Sequence, residues 1–118
     1  PICTSKEPVD KGGWSIFHTW LVGPDLLNPA VNFAIRGNGE KAWFGWPTDP
    51  KLESLREAFF DAPNNAAAKK AAEAVQARAF EFLPYIPTAQ FILPTAYRTN
   101  LSGIIVAPMA FLWNVEKK

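Results

Sequence analysis

The sequence predicts a mixed fold of helices and strands, either α/β or α+β, from three observations. Two helical patterns follow one another in the middle of the chain, between residues 49 and 82. Segments rich in aromatic and β-branched residues lie on both sides of these patterns and predict short strands. Those strands are few for a sheet that must cover two helices, which predicts open edges that pair with residues outside this chain.

Both helices are predicted from capping residues and from the spacing of apolar residues. Asp49 is a suitable N-cap, with Pro50 at the first helical position. The segment 61–65, Asp-Ala-Pro-Asn-Asn, ends this helix and caps the next. On the second helix the apolar residues recur every three or four positions, which predicts one buried stripe. The residues of this stripe are Ala68, Ala72, Val75, Ala79 and Phe82.

The strand predictions cover both sides of the helices. Residues 14–20 alternate loosely and are rich in aromatics, which predicts a short strand. Residues 24–29 must be irregular, because each proline biases the preceding residue away from helix. After the second helix, four segments are predicted to be extended: 86–94, 96–99, 101–106 and 111–115.

Composition excludes several classes of function. The chain has 118 residues, 48% of them apolar, with a net charge of +1 and no basic stripe, so nucleic acid is not expected as a partner. No apolar run approaches the roughly 20 residues of a membrane helix. The N-terminus lacks the apolar segment of a secretory signal. Because the chain begins with Pro1 rather than methionine, we expect it to be processed or part of something longer.

No catalytic or metal-binding motif is found. Cys3 and His18 are the single cysteine and the single histidine, which leaves no metal site and no Cys/His nucleophile pair. We therefore expect no metal, no cofactor and no enzymatic activity. Glu53 and Glu81 fall on the helices and are interpreted as solvated side chains. A small hydrolase with paired carboxylates is the least supported alternative.

Asp25 has an unusual sequence environment, because it lies among apolar residues, has no cationic neighbour and is bracketed by prolines. It either forms or caps a turn, or it is an anion that receives a ligand's cation. Three tryptophans, Trp20, Trp43 and Trp46, can either form the walls of a pocket for such a ligand or belong to the core.

From about Gly12 to the C-terminus, four segments follow one another in an order and spacing that together are specific. They are residues 14–29, residues 46–55 (WPTDPKLESL), the alanine-rich helix ending in residues 82–87 (FLPYIP), and residues 94–103 (PTAYRTNLSG). In these segments the chain resembles the C-terminal portion of the family 5 extracellular solute-binding proteins, which are the dipeptide- and oligopeptide-binding proteins of bacterial ABC importers.

This resemblance implies a fragment of a type II periplasmic-binding-protein clamshell, a mixed sheet with flanking helices that is incomplete without upstream sequence. Residues 1–90 would form the C-terminal part of the second lobe, and residues 91–118 would return to the first lobe. The implied function is to capture small peptides or related solutes in the periplasm and deliver them to an ABC transporter permease in the inner membrane. The signal peptide would lie upstream.

The resemblance also implies roles for the candidate site residues. Many peptide-binding members place an aspartate four residues before a proline to hold the ligand's α-ammonium, and Asp25 and Pro29 keep this spacing. Trp20 corresponds to an aromatic residue that lines a side-chain pocket, and Trp43 and Trp46 are expected to flank the ligand. In two respects the sequence departs from the family: Trp20 lies further from Asp25, and residues 14–19 lack an arginine for a ligand carboxylate.

One alternative is a free-standing interaction domain, in which the tryptophans form the core and exposed strand edges recruit a partner. The coding sequence upstream of Pro1 distinguishes the two hypotheses, because only the transport protein needs several hundred further residues. We also expect the chain alone to self-associate or to exchange its last strands with a second copy.

Overall fold

The computed structural model describes residues 2–108 and 110–118. The chain divides into two compact units, Pro1–Ile86 and Pro87–Lys118. Within the described residues, no helix is long and apolar enough to cross a membrane.

Helices and strands are both present, as predicted, but in different units. The first unit contains two α-helices, α1 (Pro50–Phe60) and α2 (Asn65–Phe82). The second contains one antiparallel pair of strands, β1 (Leu101–Ser102) and β2 (Glu116–Lys117). This pair is the only sheet that the described residues form, so the mixed sheet of the prediction is not seen in this chain.

Both helices begin and end where the capping signals predict. The Asp49 side chain accepts a hydrogen bond from the Lys51 N–H at 3.1 Å, and Pro50 is the first residue of α1. The Asn64 side chain accepts from the Ala67 N–H at 3.0 Å and caps α2. After Phe82 the backbone enters the left-handed region at Leu83 (φ 55°), and a proline follows. These bonds satisfy N–H groups that have no partner within the helix.

The core of the first unit lies between the two helices. Its buried residues are Ile35, Leu52 and Val75, and Leu52 is fully buried at 0% exposure. Partly buried side chains pack around them, including Ala79 and Phe82. The predicted stripe is thus confirmed where α2 faces this cluster, at Val75, Ala79 and Phe82.

The predicted strand over residues 14–20 is wrong, because these residues form no strand. Two of their aromatic rings contact each other instead: Trp14 packs edge-on against Phe17, with 4.8 Å between centroids. These two rings are packed through side-chain contacts. A strand would also need a second extended segment with which to form backbone hydrogen bonds. The irregular conformation predicted for residues 24–29 is confirmed as a 3-10 turn, Gly23–Leu26, followed by bends and turns.

Most of the extended segments predicted after the helices form no strand, and the two strands that do form are shorter than predicted. No strand forms over residues 86–99, β1 covers only two residues of the segment 101–106, and β2 begins after the segment 111–115. β1 ends at Gly103, where the backbone leaves the extended region (φ 73°). A Cβ atom there would collide with the Asn114 carbonyl, so only glycine fits at this close approach.

Candidate ligand-binding site

Asp25 lies in the 3-10 turn Gly23–Leu26 and is half-buried. Its backbone N–H donates to the Val22 carbonyl at 3.0 Å, and Pro24 sets the start of the turn. Within the described part of the chain, the Asp25 carboxylate makes no hydrogen bond and no ion pair. The turn is therefore held by its backbone, and the carboxylate does not cap it.

The loop that follows Asp25 is held by side-chain amides and by α1. The Asn28 Oδ1 atom accepts from the Ala30 N–H at 2.9 Å, and the Asn32 Oδ1 atom accepts from the Ala34 N–H at 3.1 Å. Pro29 is buried, and its carbonyl accepts from Arg56 Nη2 at 3.4 Å. This last bond joins the loop to α1, because Arg56 belongs to that helix.

Arg56 and Glu53 form a clamp on the inner side of α1. Arg56 is 6% exposed, and its Nη1 atom donates to both carboxylate oxygens of Glu53, at 2.9 and 2.8 Å. Glu53 Oε1 also accepts from the Gly37 N–H at 2.7 Å. The interpretation of Glu53 as a solvated residue is therefore wrong. Its spacing of three residues from Arg56 was a sign of the ion pair, but only the packing shows that the pair faces the loop.

A second clamp joins the start of α1 to α2. Arg78 donates from Nε to Asp49 Oδ2 at 2.7 Å and from Nη1 to Glu81 at 2.9 Å. The Asp49 N–H donates to the Gly37 carbonyl at 2.8 Å. The hydrogen bond from Arg78 is the largest cause that lowers the pKa of Asp49 below 3.8, and it outweighs the opposing effect of burial. Glu81 is exposed, as predicted, yet it is ion-paired.

Replacing Asp49 by asparagine is expected to change how stability depends on pH. Because the pKa of Asp49 is lower in the folded chain, its ionised form contributes stability above the ordinary pKa near 3.8, and this contribution is lost as the pH falls through the folded-state pKa. Asparagine still caps a helix, so Asp49→Asn removes the charge and keeps the cap. Urea unfolding followed by the helical circular dichroism signal should show the wild-type chain more stable than the variant at about pH 6, with the difference shrinking below about pH 4.

The Asp49 prediction has a matched control. Asp10→Asn changes an exposed acid that has no ion pair within the described residues, and it should leave the pH dependence as in the wild type. An Asp49→Asn variant that differs from the wild type equally at every pH would contradict the assigned role of the ion pair.

Two of the three predicted tryptophans belong to one aromatic cluster. Trp43 lies 5.8 Å from Phe17 and 5.1 Å from Phe33, measured between ring centroids. Trp46 lies 6.5 Å from Trp14, which in turn contacts Phe17. We use "aromatic cluster" for the six half-buried residues Trp14, Phe17, Phe33, Trp43, Phe44 and Trp46.

A lysine side chain of the same chain lies over one face of the Trp46 ring. The Lys6 ammonium lies 4.9 Å from the centre of the Trp46 ring, and it is 3.6 Å from a Glu40 carboxylate oxygen. The Trp46 backbone adopts φ 47°, a conformation that non-glycine residues seldom take.

Trp20 is arranged differently from Trp43 and Trp46. Trp20 is 60% exposed, and its ring contacts no other aromatic ring among the residues that the structure describes. Other apolar side chains near Asp25 in the sequence, among them Leu27 and Val31, are also exposed. The structure therefore brings Trp43 and Trp46 together and leaves Trp20 outside their cluster.

Metal-binding geometry is absent from residues 2–108 and 110–118, where no three His, Cys, Asp or Glu side chains are grouped as metal ligands would be. Cys3 carries a free, half-buried thiol. Its carbonyl accepts a hydrogen bond from Trp14 Nε1 at 3.1 Å, so this residue helps to orient the aromatic cluster.

No family model matches the chain. A curated relative does match: a probable peptide ABC transporter periplasmic-binding protein of Sinorhizobium fredii is 34% identical over 114 residues, which is 97% of this chain. The chain spans only 22% of the length of that relative. The predicted resemblance is thus confirmed, since this chain is similar along nearly its whole length to a part of the periplasmic-binding protein of a peptide ABC transporter.

Proposed function

We propose that this chain is part of the substrate-binding component of an ABC importer. The complete protein captures small peptides or related solutes in the periplasm and delivers them to a permease in the inner membrane. The observation that carries the proposal is the similarity along 97% of the chain to a relative named as the periplasmic-binding protein of a peptide ABC transporter. This function is one of binding, without catalysis or a cofactor.

In the proposed architecture, residues 1–90 belong to the second lobe of a clamshell and residues 91–118 complete the first. The matched segment covers 22% of the relative, so in this proposal the greater part of both lobes comes from the rest of the polypeptide. A ligand that contacts both lobes stabilises the closed form through contacts that the open form lacks.

Asp25 is the proposed anchor for the ligand's α-ammonium, with Trp20 beside it and Trp43 and Trp46 as a further wall. Support comes from Asp25 itself, since the residue is half-buried and its carboxylate has no partner within the described residues. A carboxylate without a partner is stabilised by a cation that hydrogen-bonds to it, and such charge-assisted bonds are stronger than neutral ones. Trp20, 60% exposed, offers apolar surface for the ligand.

Calorimetry with trialanine tests the anchor in the complete protein encoded by the reading frame that contains this chain. Asp25→Asn is expected to weaken binding by about 2 kcal/mol, or roughly 30-fold, because an ionised hydrogen bond is lost. N-acetyl-trialanine, which has no ammonium, should bind the wild type and Asp25→Asn with equal affinity. Asp10→Asn is the matched control, since it removes an exposed carboxylate from another 3-10 turn.

The outcomes separate the anchor from the function. Unchanged trialanine affinity in Asp25→Asn refutes the anchor and leaves peptide binding intact. Failure of the complete wild-type protein to bind any member of a mixed pool of di- to pentapeptides refutes the peptide function itself.

The reading frame upstream of Pro1 decides between this proposal and a free-standing interaction domain. Several hundred further codons that resemble the relative support the transport function, and a start codon next to Pro1 supports the alternative. Self-association of the chain, which was expected from its open strand edges, has no support in the structure or in the comparisons. It is not part of the proposal.

A further inference from the structure

Trp46 and Glu40 together hold a cation that the chain itself supplies. The Lys6 ammonium lies 4.9 Å from the centre of the Trp46 ring and 3.6 Å from a Glu40 carboxylate oxygen. The face of an indole ring attracts a cation through the quadrupole of its π-system, and the neighbouring carboxylate adds a full negative charge. The two side chains therefore form a cation-binding pair, which we call the Trp46–Glu40 site.

The loop that carries both side chains is closed at its base by backbone hydrogen bonds. The Gly39 N–H donates to the Pro47 carbonyl at 2.9 Å, and the Asp49 N–H donates to the Gly37 carbonyl at 2.8 Å. Within this loop the Trp46 backbone lies in the left-handed region (φ 47°), which bulky side chains rarely adopt. Such conformations persist only where the surrounding structure holds them, and they are concentrated at functional sites such as ligand clamps.

Lys6 reaches the site from the N-terminal segment of the chain. This segment turns back on itself, since the Gly13 N–H donates to the Pro8 carbonyl at 3.0 Å. Its first residues lie against the aromatic cluster, because the Cys3 carbonyl accepts a hydrogen bond from Trp14 Nε1 at 3.1 Å. Lys6 is thus tethered close to the Trp46 ring, and its ammonium competes with any other cation for the same position.

The site holds Lys6 only weakly. The side chains of Lys6 and Glu40 are 57% and 90% exposed. Exposed ion pairs contribute little to stability, because water and salt screen the charges, and a cation over an exposed ring contributes only slightly more. A cation that a bound molecule presents to the ring can therefore displace Lys6, whereas the loop that forms the site stays closed.

We propose that the Trp46–Glu40 site binds a cationic side chain of the ligand, and that Lys6 occupies the site until this side chain displaces it. The ligand group is a lysine ammonium or an arginine guanidinium on a flexible stem, because the α-ammonium of a peptide is already assigned to Asp25. The inference rests on the proposed function in taking the ligand to be a peptide. It adds a preference for peptides that carry a lysine or an arginine.

Calorimetry on the complete polypeptide encoded by the reading frame measures this preference. The probes are three tripeptides of one lysine and two alanines, with the lysine first, second or third, and the same three peptides with uncharged norleucine in place of lysine. Lys6→Met is expected to raise the affinity for at least one lysine peptide about fivefold, because the competing ammonium is gone, and to leave the norleucine peptides unchanged. Adding Glu40→Gln should remove part of this gain, and the exposed position of Glu40 makes the substitution harmless to the fold.

Lys11→Met is the matched control for Lys6→Met. Lys11 is an exposed lysine of the same N-terminal segment, and its side chain makes no hydrogen bond, ion pair or ring contact within the described residues. It should leave all six affinities as in the wild type. Unchanged affinity for all three lysine peptides in Lys6→Met overturns the inference. So does an equal change for lysine and norleucine peptides, because Lys6 would then only support the fold.

The cation n-butylammonium, which copies the end of a lysine side chain, tests the site without any peptide. In NMR spectra of the complete polypeptide, the Trp46 Nε1–H resonance should shift in a saturable way, with a midpoint about fivefold lower in Lys6→Met than in the wild type. Uncharged n-butanol should cause no such shift. Equal midpoints, or no saturable shift in either protein, overturn the inference. A protein that binds n-butylammonium at Trp46 but no member of the mixed peptide pool keeps the site and refutes the peptide function.

Discussion

Leu52→Ala is expected to destabilise the helical unit by about 2–5 kcal/mol, the range found when a buried leucine is truncated in a packed core. Leu52 is completely buried between α1 and α2, in a cluster with Ile35 and Val75. Because the cluster contains only three buried residues, few neighbouring side chains can shift to fill the resulting cavity. Urea unfolding of the 118-residue chain, followed at 222 nm, measures the loss because both helices lie in this unit.

Leu27→Ala is the matched control for Leu52→Ala. Leu27 is 77% exposed, and the same truncation there should change the free energy of unfolding by no more than about 0.5 kcal/mol. A loss at Leu27 comparable to the loss at Leu52 would contradict the position assigned to the core. So would a Leu52→Ala chain that unfolds at the wild-type urea concentration.

Arg56→Met is expected to cost about 3 kcal/mol, because it removes one partner from a buried, hydrogen-bonded ion pair. Methionine keeps most of the apolar stem of arginine, so the loss arises from the guanidinium. Its three hydrogen bonds, two to Glu53 and one to the Pro29 carbonyl, join α1 to the loop that follows Asp25. Urea unfolding measures the loss, and faster amide exchange at Gly37, whose N–H donates to Glu53, should report the loosened loop.

A double substitution separates the ion pair from general disruption of the helix. Adding Glu53→Gln to Arg56→Met removes the uncompensated carboxylate and should restore part of the lost stability, since the remaining amide oxygen still accepts from Gly37. Lys69→Met is the matched control on α2. It breaks an exposed ion pair with Glu73 at 3.9 Å, and pairs of this kind contribute little. A double variant less stable than Arg56→Met would contradict the assigned pairing.

The clamps bear on the proposed site because they hold the loop that follows Asp25. Arg56 holds the Pro29 carbonyl, and Glu53 and Asp49 hold the two backbone groups of Gly37. A Cβ atom at Gly37 would lie 3.0–3.2 Å from atoms of Asp49, so the backbone approaches the start of α1 more closely than most side chains permit. Residues 29–37 are thus anchored at both ends on α1 and its N-cap, and Asp25 lies four residues before the first of these anchors.

The local signals in the sequence predicted the helices well, because each cap joins residues two or three positions apart. The capping bonds of Asp49 and Asn64 join neighbouring residues and do not depend on how the helix packs. Val75 was predicted on the buried stripe because helical periodicity places it on one face with its apolar neighbours. These features need only the backbone geometry of one helix.

The candidate site was predictable only in part. The sequence singled out Asp25, Trp20, Trp43 and Trp46, and their role in binding a ligand stays a prediction. It did not reveal that Trp43 and Trp46 meet the rings of Phe17 and Trp14, or that Lys6 lies over Trp46. Contacts between residues 26 to 40 positions apart leave no local pattern in a single sequence.

The sequence by itself determined the two helices, their caps, their apolar faces and the resemblance to a periplasmic-binding protein. Only the tertiary structure decided which charged residues are buried, which aromatic rings meet and which extended segments become strands. The physical reason is the range of the interactions: a helix satisfies its backbone from within, whereas a strand or a buried ion pair depends on partners that lie far along the chain. Residues 88–93 have the composition of a strand, yet within the described residues no other segment pairs with them.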